Sequence, residues 1–569
     1  MKVIIVGGVA GGASCAARLR RLDEKVEILM VEKGPYVSYA NCGLPYHIGK
    51  VIEKESSLLV ATKEMFTAIF GIDCRTNCEA VAIDAKNKTV DLLNVTTGEV
   101  TTESYDKLVL SPGAPSIHPP LPGIDLPGIF QVRTVPDTRA VVEWLDKGTD
   151  FLSGMSCYTG IQQAKPTTRA VVVGGGFIGL ECAENLIHRG FDVTLIQKPD
   201  HVLTPLDPEI GSLVQGHIKR HGVKVVANDG VNGFKQLEGG AIEVQTEKGQ
   251  TFPADVVILA IGVRPDTKLA KSADLAIGGR GGILVDDQMH TSNLDIFAVG
   301  DAIEVKDFMT GEQSLIALAG PANRQGRIAA DVICGRNSRY RGTQGTSIIG
   351  LFGGAAAWTG VSEKTLKRRG DTDYEKIYLF PNSHAGYYPG AKMIGLKVIF
   401  RKSDGKLLGA QALGEDGPAV DKRISALAVF LQMGATMADL AEAELCYAPQ
   451  FGSAKDAVNF AGMVAGNILC GDMPVCHWES AGNGFLLDVR SPAELVMESV
   501  PGAFNIPLPQ LRARLGELPK DREIKVICRS AQRAHYATRI LLQNGFTASV
   551  LSGGMLSRAM KEISETKNQ

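Results

Sequence analysis

The feature that most constrains the fold of this chain is a repeated segment. Residues 3–22 and 170–188 each hold a β-branched run, a glycine-rich turn and a helix-forming stretch, and the two turns are 167 positions apart. Each segment is followed by a second apolar run, at 26–31 and 193–196. Continuous apolar strands of this kind are typical of parallel sheets that helices cover on both faces. The repeat therefore predicts an α/β fold with two βαβ units and two dinucleotide-binding sites.

Composition excludes several classes of function. The chain has 569 residues, which at about 100 to 200 residues per domain indicates three to five domains. The net charge is -2, so nothing favours nucleic acid or an anionic membrane as a partner. No apolar stretch reaches the roughly 18 residues that span a bilayer, and the apolar run after Met1 is too short for a secretory leader. The 11 cysteines are too few for a disulfide scaffold, so we expect a protein of the reducing cytoplasm.

The first glycine turn predicts a bound adenine dinucleotide. Gly7 opens the turn from strand to helix, Gly12 lets the helix pack against the strand, and the helix N-terminus offers free N–H groups to a pyrophosphate. Val9 replaces the middle glycine of the usual pattern. Glu32 follows the second strand, where a carboxylate can accept hydrogen bonds from ribose hydroxyls. The alternative is an ordinary glycine turn with a surface glutamate.

The second turn carries the full G-x-G-x-x-G pattern at Gly174, Gly176 and Gly179. The acidic residue expected after the next strand is missing, because that strand ends in Gln197 and Lys198. Gln197 can still hydrogen-bond a ribose, whereas Lys198 would favour a 2′-phosphate. We therefore expect NADH here, with NADPH as the alternative.

A third element assigns the two nucleotides. Residues 291–301 form an apolar run that ends in Gly300 and Asp301, and this run resembles the second FAD fingerprint of the flavoprotein disulfide reductases. The resemblance implies a glutathione-reductase-like fold, with FAD in the first unit and the nicotinamide in the second. For FAD it implies contacts from Gly7, Ala10, Gly11, Gly12, Glu32, Lys33, Asn41, Val81, Gly113, Arg133, Gly300, Asp301 and Ala319. For NADH it implies contacts from Gly174, Gly176, Phe177, Gly179 and Gln197.

Residues 38–46, with a single cysteine at Cys42, resemble the single-cysteine branch of that family, which contains NADH peroxidase, NADH oxidase and coenzyme A disulfide reductase. A lone thiolate beside a flavin can attack a disulfide or a sulfane sulfur, and for this we expect a helix N-terminus and the flavin environment to lower the Cys42 pKa. A buried, inert cysteine is the alternative.

Ala10 stands where the peroxidases and oxidases carry histidine, so the segment resembles the coenzyme A disulfide reductases and their persulfide-reducing relatives. The resemblance implies coenzyme A contacts from Arg18, Arg21 and Ser38, although arginines on an exposed helix are usually only solvated. A basic residue that the family carries near 69–70 is absent from this chain.

Two tyrosine-bearing segments, 383–389 and 444–456, resemble the parts of that family's dimerisation domain that deliver tyrosines to the partner subunit's cysteine. The resemblance implies an obligatory homodimer with Tyr388 and Tyr447 in the site, where a phenol would stabilise the leaving thiolate. Tyrosines of an ordinary core are the alternative.

The C-terminal segment resembles a single rhodanese domain. An apolar run leads into Cys528, and the six-residue loop that follows contains Arg529 and Arg533. Backbone N–H groups of such a loop would stabilise a thiolate and its persulfide anion. Ala531 stands where the family usually has glycine. A domain kept only for partner contact is the alternative.

Together these segments predict FAD-binding parts at 1–150 and 276–330, a nicotinamide domain at 151–275, an α+β dimerisation domain at 331–467 and an α/β rhodanese domain at 475–569. Residues 147–168 are long for a connection and are either a functional flap or partly disordered. We expect NADH-dependent reduction of coenzyme A persulfide or polysulfide at Cys42, with no metal. The alternatives are coenzyme A disulfide reduction as the main activity, or a flavin sensor of redox state or sulfide.

Overall fold

The computed structural model describes residues 1–155, 168–482 and 484–565. These form two compact units, Met1–Lys198 with Gly222–Thr343, and Pro199–His221 with Gln344–Gln569. The long connection expected at 147–168 begins as helix, and residues 156–167 lie outside the described residues.

The first repeat folds as the sequence predicts. Its elements, in chain order through the second repeat, are β1 (Lys2–Val6), α1 (Ala10–Leu22), β2 (Glu27–Glu32), α2 (Leu44–Ile48), α3 (Lys63–Phe70), β3 (Asp73–Thr76), β4 (Cys78–Asp84), β5 (Thr89–Asn94), β6 (Val100–Ser104), β7 (Lys107–Leu110), β8 (Ile129–Gln131), α4 (Val135–Met155), β9 (Arg169–Val173), α5 (Phe177–His188) and β10 (Asp192–Gln197). Strands β1 and β2 pair in parallel with Val6 opposite Val31, and both strands are almost wholly buried.

The chain then continues through α6 (Pro208–Arg220), β11 (Lys224–Ala227), β12 (Val231–Gln236), β13 (Ile242–Thr246), β14 (Thr251–Ala254), β15 (Val256–Leu259), α7 (Lys268–Ser272), β16 (Ile283–Leu284), β17 (Ile296–Ala298), β18 (Ile303–Lys306), β19 (Gln313–Ser314) and α8 (Ala319–Ile333). Two parallel five-stranded sheets result, in the orders β17-β7-β1-β2-β3 and β11-β10-β9-β15-β8. Because each repeat starts the middle strand of its own sheet, each glycine turn lies at the carboxyl edge, where such sheets bind nucleotides.

The second unit holds α6 and all elements after Gln344. These are β20 (Ser347–Leu351), β21 (Gly354–Gly360), α9 (Glu363–Arg369), β22 (Glu375–Leu379), β23 (Ile394–Phe400), β24 (Leu407–Gly414), α10 (Gly417–Gln432), α11 (Met437–Glu442), α12 (Ala457–Leu469), β25 (Val475–Cys476), β26 (Phe485–Asp488), α13 (Pro492–Met497), β27 (Phe504–Asn505), β28 (Ile524–Ile527), α14 (Gln532–Gln543), β29 (Ala548–Leu551) and α15 (Gly554–Glu565). An antiparallel sheet, β20-β21-β24-β23-β22, is followed by a parallel one, β25-β29-β28-β26-β27. The expected α+β and α/β domains are thus both present.

Candidate active site

The first glycine turn has the tight geometry that a dinucleotide site requires. Gly7 adopts a φ of 93°, and a Cβ there would lie 2.0 Å from the carbonyl oxygen of Ser111. A Cβ on Gly12 would lie 1.8 Å from the Gly7 carbonyl oxygen, so α1 packs directly on the turn. Helix α1 begins without a side-chain cap and without an acidic residue in its first turn. The N–H groups of Ala10 and Gly11 are therefore available to an anion, whereas that of Gly12 donates to the Ser111 hydroxyl at 3.1 Å.

Glu32 and Gln197 occupy matching places in the two repeats. Glu32 accepts hydrogen bonds from the backbone N–H groups of Gly8 and Gly34, each at 2.9 Å, and burial raises its pKa. Gln197 accepts one from the N–H of Gly175 at 2.7 Å. The glutamine therefore keeps the bond to the turn without the charge. Lys198 reaches Glu247 at 2.7 Å on the surface.

Several of the residues expected at FAD meet at one place. Gly300 and Asp301 lie in a 3-10 turn, and the Asp301 carboxylate pairs with Arg133 at 3.0 Å. The Gly300 N–H donates to the buried Gln325 side chain at 2.8 Å. Gln325 was not predicted from the sequence, since nothing in helix α8 marks it beyond its polar character.

An adenine dinucleotide fits these residues on three further observations. Helix α8, which starts at Ala319, also begins without a side-chain cap. The buried Oδ1 atom of Asn41 has no hydrogen-bond partner among the described residues. The β4–β5 register shifts between Ala80 and Ala82, which leaves Val81 as an exposed bulge. Each feature leaves a polar group free to bind a ligand at a position where the sequence places FAD.

Cys42 lies in a segment that contacts the first glycine turn. It sits in the 3-10 turn Asn41–Gly43, and the segment before it is tied to the first glycine turn because the Ser38 N–H donates to the Gly8 carbonyl at 2.8 Å. Ser38 adopts a φ of 47°, which a residue with a side chain rarely takes. The Cys42 side chain is exposed. It therefore has the access that a nucleophile needs.

The expected lowering of the Cys42 pKa depends on the flavin as well as on a helix N-terminus, and the protein's own side chains act in the opposite direction. Partial removal of water raises the pKa of the thiol, and the carboxylates of Glu181 and Asp301 raise it further. Arg133 opposes them with a smaller effect. Asp301 belongs to the run expected at FAD, and Glu181 lies on the helix that follows the second glycine turn. The Cys42 thiol is therefore within electrostatic reach of both nucleotide motifs.

Glu181 was not predicted from the sequence. It lies on α5, and burial raises its pKa to about 7. The hydroxyl of Tyr46 donates to its carboxylate at 3.4 Å, and burial and Glu181 together raise the pKa of that phenol. The only available sequence signal was an acidic side chain two positions after Gly179, on a helix that also carries Glu184.

The residues expected at coenzyme A differ in their surroundings. Arg18 is mostly buried and pairs with Asp331 at 2.8 Å, whereas Arg21 is exposed. Arg20, between them, is buried and donates to the carbonyl groups of Phe70 and Glu24. Of the arginines on this helix, Arg21 has the accessibility that a phosphate contact requires.

The expected tyrosines belong to the second unit. Tyr388 is 44% exposed and Tyr447 is 47% exposed. The Tyr447 hydroxyl lies 2.7 Å from the hydroxyl of Tyr387, while the Tyr388 ring packs edge-on against His384. The structure therefore pairs Tyr447 with Tyr387 and not with Tyr388.

The loop of Cys528 joins β28 to α14. Cys528 is 1% exposed, and the Ala534 N–H donates to its sulfur at 3.3 Å. Ala531 caps the helix with a φ of 72°, the left-handed conformation for which glycine is the usual choice. Arg529 is exposed.

Arg533 is held by a carboxylate that the sequence did not reveal. Its guanidinium makes two hydrogen bonds to Glu494, at 2.7 and 2.6 Å. Arg533 lowers the pKa of Glu494 to about 2, and the pair fixes the guanidinium near Cys528. The helix α13 that carries Glu494 is thereby joined to the cysteine loop.

Comparison with known families agrees with this geometry. Residues 1–326 match the family of pyridine nucleotide-disulphide oxidoreductases. The chain belongs to this family. Residues 351–458 match its dimerisation domain, and residues 477–558 match the rhodanese-like domain. The predicted fold class and resemblance are confirmed.

Individual relatives resemble most or all of the chain. Coenzyme A disulfide reductase from Staphylococcus haemolyticus is 34% identical over 82% of this chain and 99% of its own. A crystal structure of reduced Bacillus anthracis CoADR-RHD is 44% identical, with a TM-score of 0.93 over 100% of this chain and 98% of that one. An NAD-dependent persulfide reductase from A. fulgidus is 34% identical, with a TM-score of 0.88 over 98% and 100%.

As a member of this oxidoreductase family, the protein is a flavoprotein enzyme that binds FAD and a nicotinamide dinucleotide. It also carries a dimerisation domain and a rhodanese-like domain. Within the part of the chain that the structure describes, no helix has the length and apolarity to cross a membrane.

Proposed function

We propose that the protein uses NADH to reduce the sulfane sulfur of coenzyme A persulfide or polysulfide at Cys42, releasing hydrosulfide, and that Cys528 carries sulfur as a persulfide. The observation that carries this proposal is the presence on one chain of two different cysteine sites. Exposed Cys42 lies within electrostatic reach of both nucleotide motifs, and buried Cys528 lies in a loop whose amide contacts its sulfur. The full-length likeness to the CoADR-RHD and persulfide reductase structures supports it.

Cys42 would act as the nucleophile. Its thiolate attacks the coenzyme-bound sulfur of the persulfide, so that a mixed disulfide forms and hydrosulfide leaves. FAD, when bound, supplies the two electrons that cut this disulfide and regenerate the Cys42 thiolate and the coenzyme thiolate. The outer sulfur of the persulfide thus leaves as hydrosulfide when the mixed disulfide forms. The two electrons that later cut this disulfide come from NADH.

The other proposed roles follow the two nucleotide motifs. The uncapped N-terminus of α1 and Glu32 would hold the phosphates and ribose of FAD, with Arg133 and Asp301 near its flavin end. The turn at Gly174 and Gln197 would hold NADH. The residue roles and domain boundaries that the resemblance implies belong to this proposal.

We also propose a homodimer in a reducing compartment such as the cytoplasm. The dimerisation domain supports the dimer, and exposed Tyr388 and Tyr447 are the side chains that would reach the partner's site. The ten cysteines among the described residues are all free thiols, as a reducing compartment favours.

Coenzyme A disulfide reduction as the main activity is the second candidate. It is favoured by the coenzyme A disulfide reductases that match 82% of this chain along nearly their whole length. The same cysteine would attack a disulfide instead of a persulfide, and the rhodanese-like domain would then only accept sulfur.

The test is anaerobic NADH oxidation with coenzyme A persulfide, coenzyme A disulfide and polysulfide as separate acceptors, with hydrosulfide measured as product. We expect the persulfide to give the highest kcat/KM. Cys42→Ser should lower turnover with every acceptor by about a thousandfold or more. Cys528→Ser should spare coenzyme A persulfide and slow polysulfide.

Two outcomes would redirect the proposal. A higher kcat/KM for coenzyme A disulfide than for the persulfide selects the second candidate. Undiminished hydrosulfide release by Cys42→Ser rejects the mechanism as a whole.

A further inference from the structure

The edge strand of the dimerisation sheet is covered by the rhodanese domain. Strand β22 is the last in the order β20-β21-β24-β23-β22, so one side of its backbone has no neighbouring strand in that sheet. On that side the backbone N–H of Tyr378 donates to the hydroxyl of Ser552 at 3.3 Å. Ser552 directly follows β29, a central strand of the rhodanese sheet. An edge that would otherwise expose a donor is thereby capped by another domain.

The same turn also holds the loop of Cys528. After Ser552 the chain passes through two glycines into α15, whose first N–H groups point at the cysteine loop. The Met555 N–H donates to the Cys528 carbonyl at 2.9 Å, and the Leu556 N–H donates to the Arg529 carbonyl at 3.1 Å. Ser552 therefore contacts strand β22 of the dimerisation domain, and the residues that follow Ser552 contact the sulfur-carrying loop.

The two glycines of the turn show how close these contacts are. A Cβ on Gly553 would lie 2.6 Å from the Ser557 Cβ and 2.8 Å from the Tyr378 Cβ, and a Cβ on Gly554 would lie 2.1 Å from the Cys528 carbonyl oxygen. Both glycines have positive φ, of 72° and 59°. The Trp478 indole N–H donates to the Gly554 carbonyl at 2.9 Å. The turn therefore packs against β22 at Gly553 and against the cysteine loop at Gly554, with no room for a side chain at either position.

A network of charged side chains also fixes strand β22. The Tyr378 hydroxyl donates to Glu209 at 2.8 Å, and Lys376 contacts Glu363 at 2.9 Å. Both carboxylates also bind Lys397, which is 0% exposed, at 2.5 and 2.7 Å. A buried network in which every charge has a partner is rigid, because each broken contact leaves a costly unpaired group.

A hydrogen bond and an ion pair flank the contact between β22 and the rhodanese domain. His477 Nε2 lies 2.8 Å from Glu375 Oε1, and Lys376 Nζ lies 3.3 Å from Glu479 Oε1. Glu375 and Lys376 precede Tyr378 on the same strand, so β22 contacts the rhodanese domain at three successive points. The contact is thus larger than one hydrogen bond.

We propose that Tyr378 is a positioning residue for Cys528, and that the dimerisation domain sets the conformation of the sulfur-carrying loop through the turn 552–554. The rhodanese domain of this chain is then not an independent module, since its cysteine loop is placed by a strand of the reductase. This inference rests on the proposed role of Cys528 as a sulfur carrier.

The test uses the full-length holoenzyme with thiosulfate as sulfur donor and cyanide as acceptor. Gly553→Ala places a methyl group against both Tyr378 and Ser557. It should lower kcat for sulfur transfer at least about tenfold, with a smaller change in KM, and the Ser552 variants below separate the contact with Tyr378 from the contact with Ser557. Gly545→Ala is the matched control, because Gly545 lies in the same domain with a φ of 77° and has open space around its Cβ position. It should stay within about twofold of wild type, since it adds left-handed strain without contact.

A second pair of variants avoids the steric change. Ser552→Ala removes the acceptor for the Tyr378 N–H, and we expect a severalfold lower kcat together with an altered pH profile for alkylation of Cys528. Ser552→Thr keeps the hydroxyl and should restore both. Coenzyme A disulfide reduction at Cys42 should be unchanged in all four variants.

Each outcome separates the two ideas. If Cys528→Ser abolishes sulfur transfer while Gly553→Ala and Ser552→Ala transfer sulfur like wild type, the positioning inference is overturned and the carrier role stands. If Cys528→Ser transfers sulfur normally, the carrier role itself fails. An equal loss in Gly553→Ala and Gly545→Ala would also overturn the inference, because strain alone would then account for it.

Discussion

The two cysteine sites of this chain are built in opposite ways. Cys42 has an exposed side chain, and partial removal of water together with the carboxylates near it raises the pKa of its thiol. Cys528 is buried, an amide N–H points at its sulfur, and the guanidinium of Arg533 is fixed nearby by Glu494. At the first site the chain places carboxylates near an accessible sulfur, and at the second it places a backbone donor and a guanidinium around a buried one. The contacts of Cys528 are therefore already made by the fold, whereas Cys42 depends on the cofactor, substrate and partner that complete its site.

The two sites nevertheless share one backbone feature. Each has a residue other than glycine in the left-handed region close to the cysteine, Ser38 with a φ of 47° and Ala531 with a φ of 72°. Such conformations are held by the surrounding structure at some cost in stability. Both loops are thus set by strain as well as by contacts.

The largest expected effect tests whether the fold prepares Cys528. Arg533→Ala removes the cation beside the sulfur, and we expect sulfur transfer from thiosulfate to cyanide to fall about a hundredfold. Arg514→Ala is the matched control, because Arg514 makes the same forked pair with Glu517 in the same domain and is equally accessible. It should leave sulfur transfer unchanged.

Neither variant should change the reaction at Cys42. NADH-dependent reduction of coenzyme A disulfide is expected at the wild-type rate in both. Sulfur transfer at the wild-type rate in Arg533→Ala would show that the cation does not prepare Cys528, and the contrast between the two sites would be lost.

The next effect concerns the acidic surroundings of Cys42. Glu181 has a pKa raised to about 7, so it is charged above that pH and raises the thiol pKa there. Glu181→Gln should therefore speed alkylation of Cys42 severalfold at pH 8 and have little effect at pH 6, where Glu181 is already protonated. Iodoacetamide labelling followed by peptide mass spectrometry measures this, with exposed Glu53→Gln as control. Equal labelling of wild type and Glu181→Gln at pH 8 would contradict the electrostatic account.

Local sequence patterns predicted most of the fold. The glycine turns, the apolar strands that follow them and the run ending at Asp301 each need only a short segment to be recognised, because a tight turn at a helix N-terminus admits few residues. For the same reason the predictions for Cys42 and Cys528 rest on the residues beside them. The sheets and the separate rhodanese-like domain followed from these segments.

Partners that come from distant segments were not predictable. Glu494 holds Arg533 from 39 positions away, and Gln325 binds Gly300 from 25 positions away. Lys397 is buried among carboxylates from α6 and α9, yet in the sequence it is one lysine in an apolar strand. Spacing carries no information about such pairs, since only the tertiary fold brings them together. The raised Cys42 pKa was missed because Glu181 comes from the second repeat.

The smallest effect tests the strain that the two loops share. Ala531→Gly removes the Cβ that opposes the left-handed conformation, and the gain of about 1 to 2 kcal/mol is partly offset by the greater freedom of glycine in the unfolded chain. We expect a net rise of up to about 1 kcal/mol in the free energy of unfolding, measured by urea denaturation of the full chain. Ala534→Gly, in the helix that follows, should instead lower it by about 1 kcal/mol. If Ser38→Gly stabilises its unit equally, strain is common to both sites, and the contrast between them then lies in the charges around each sulfur.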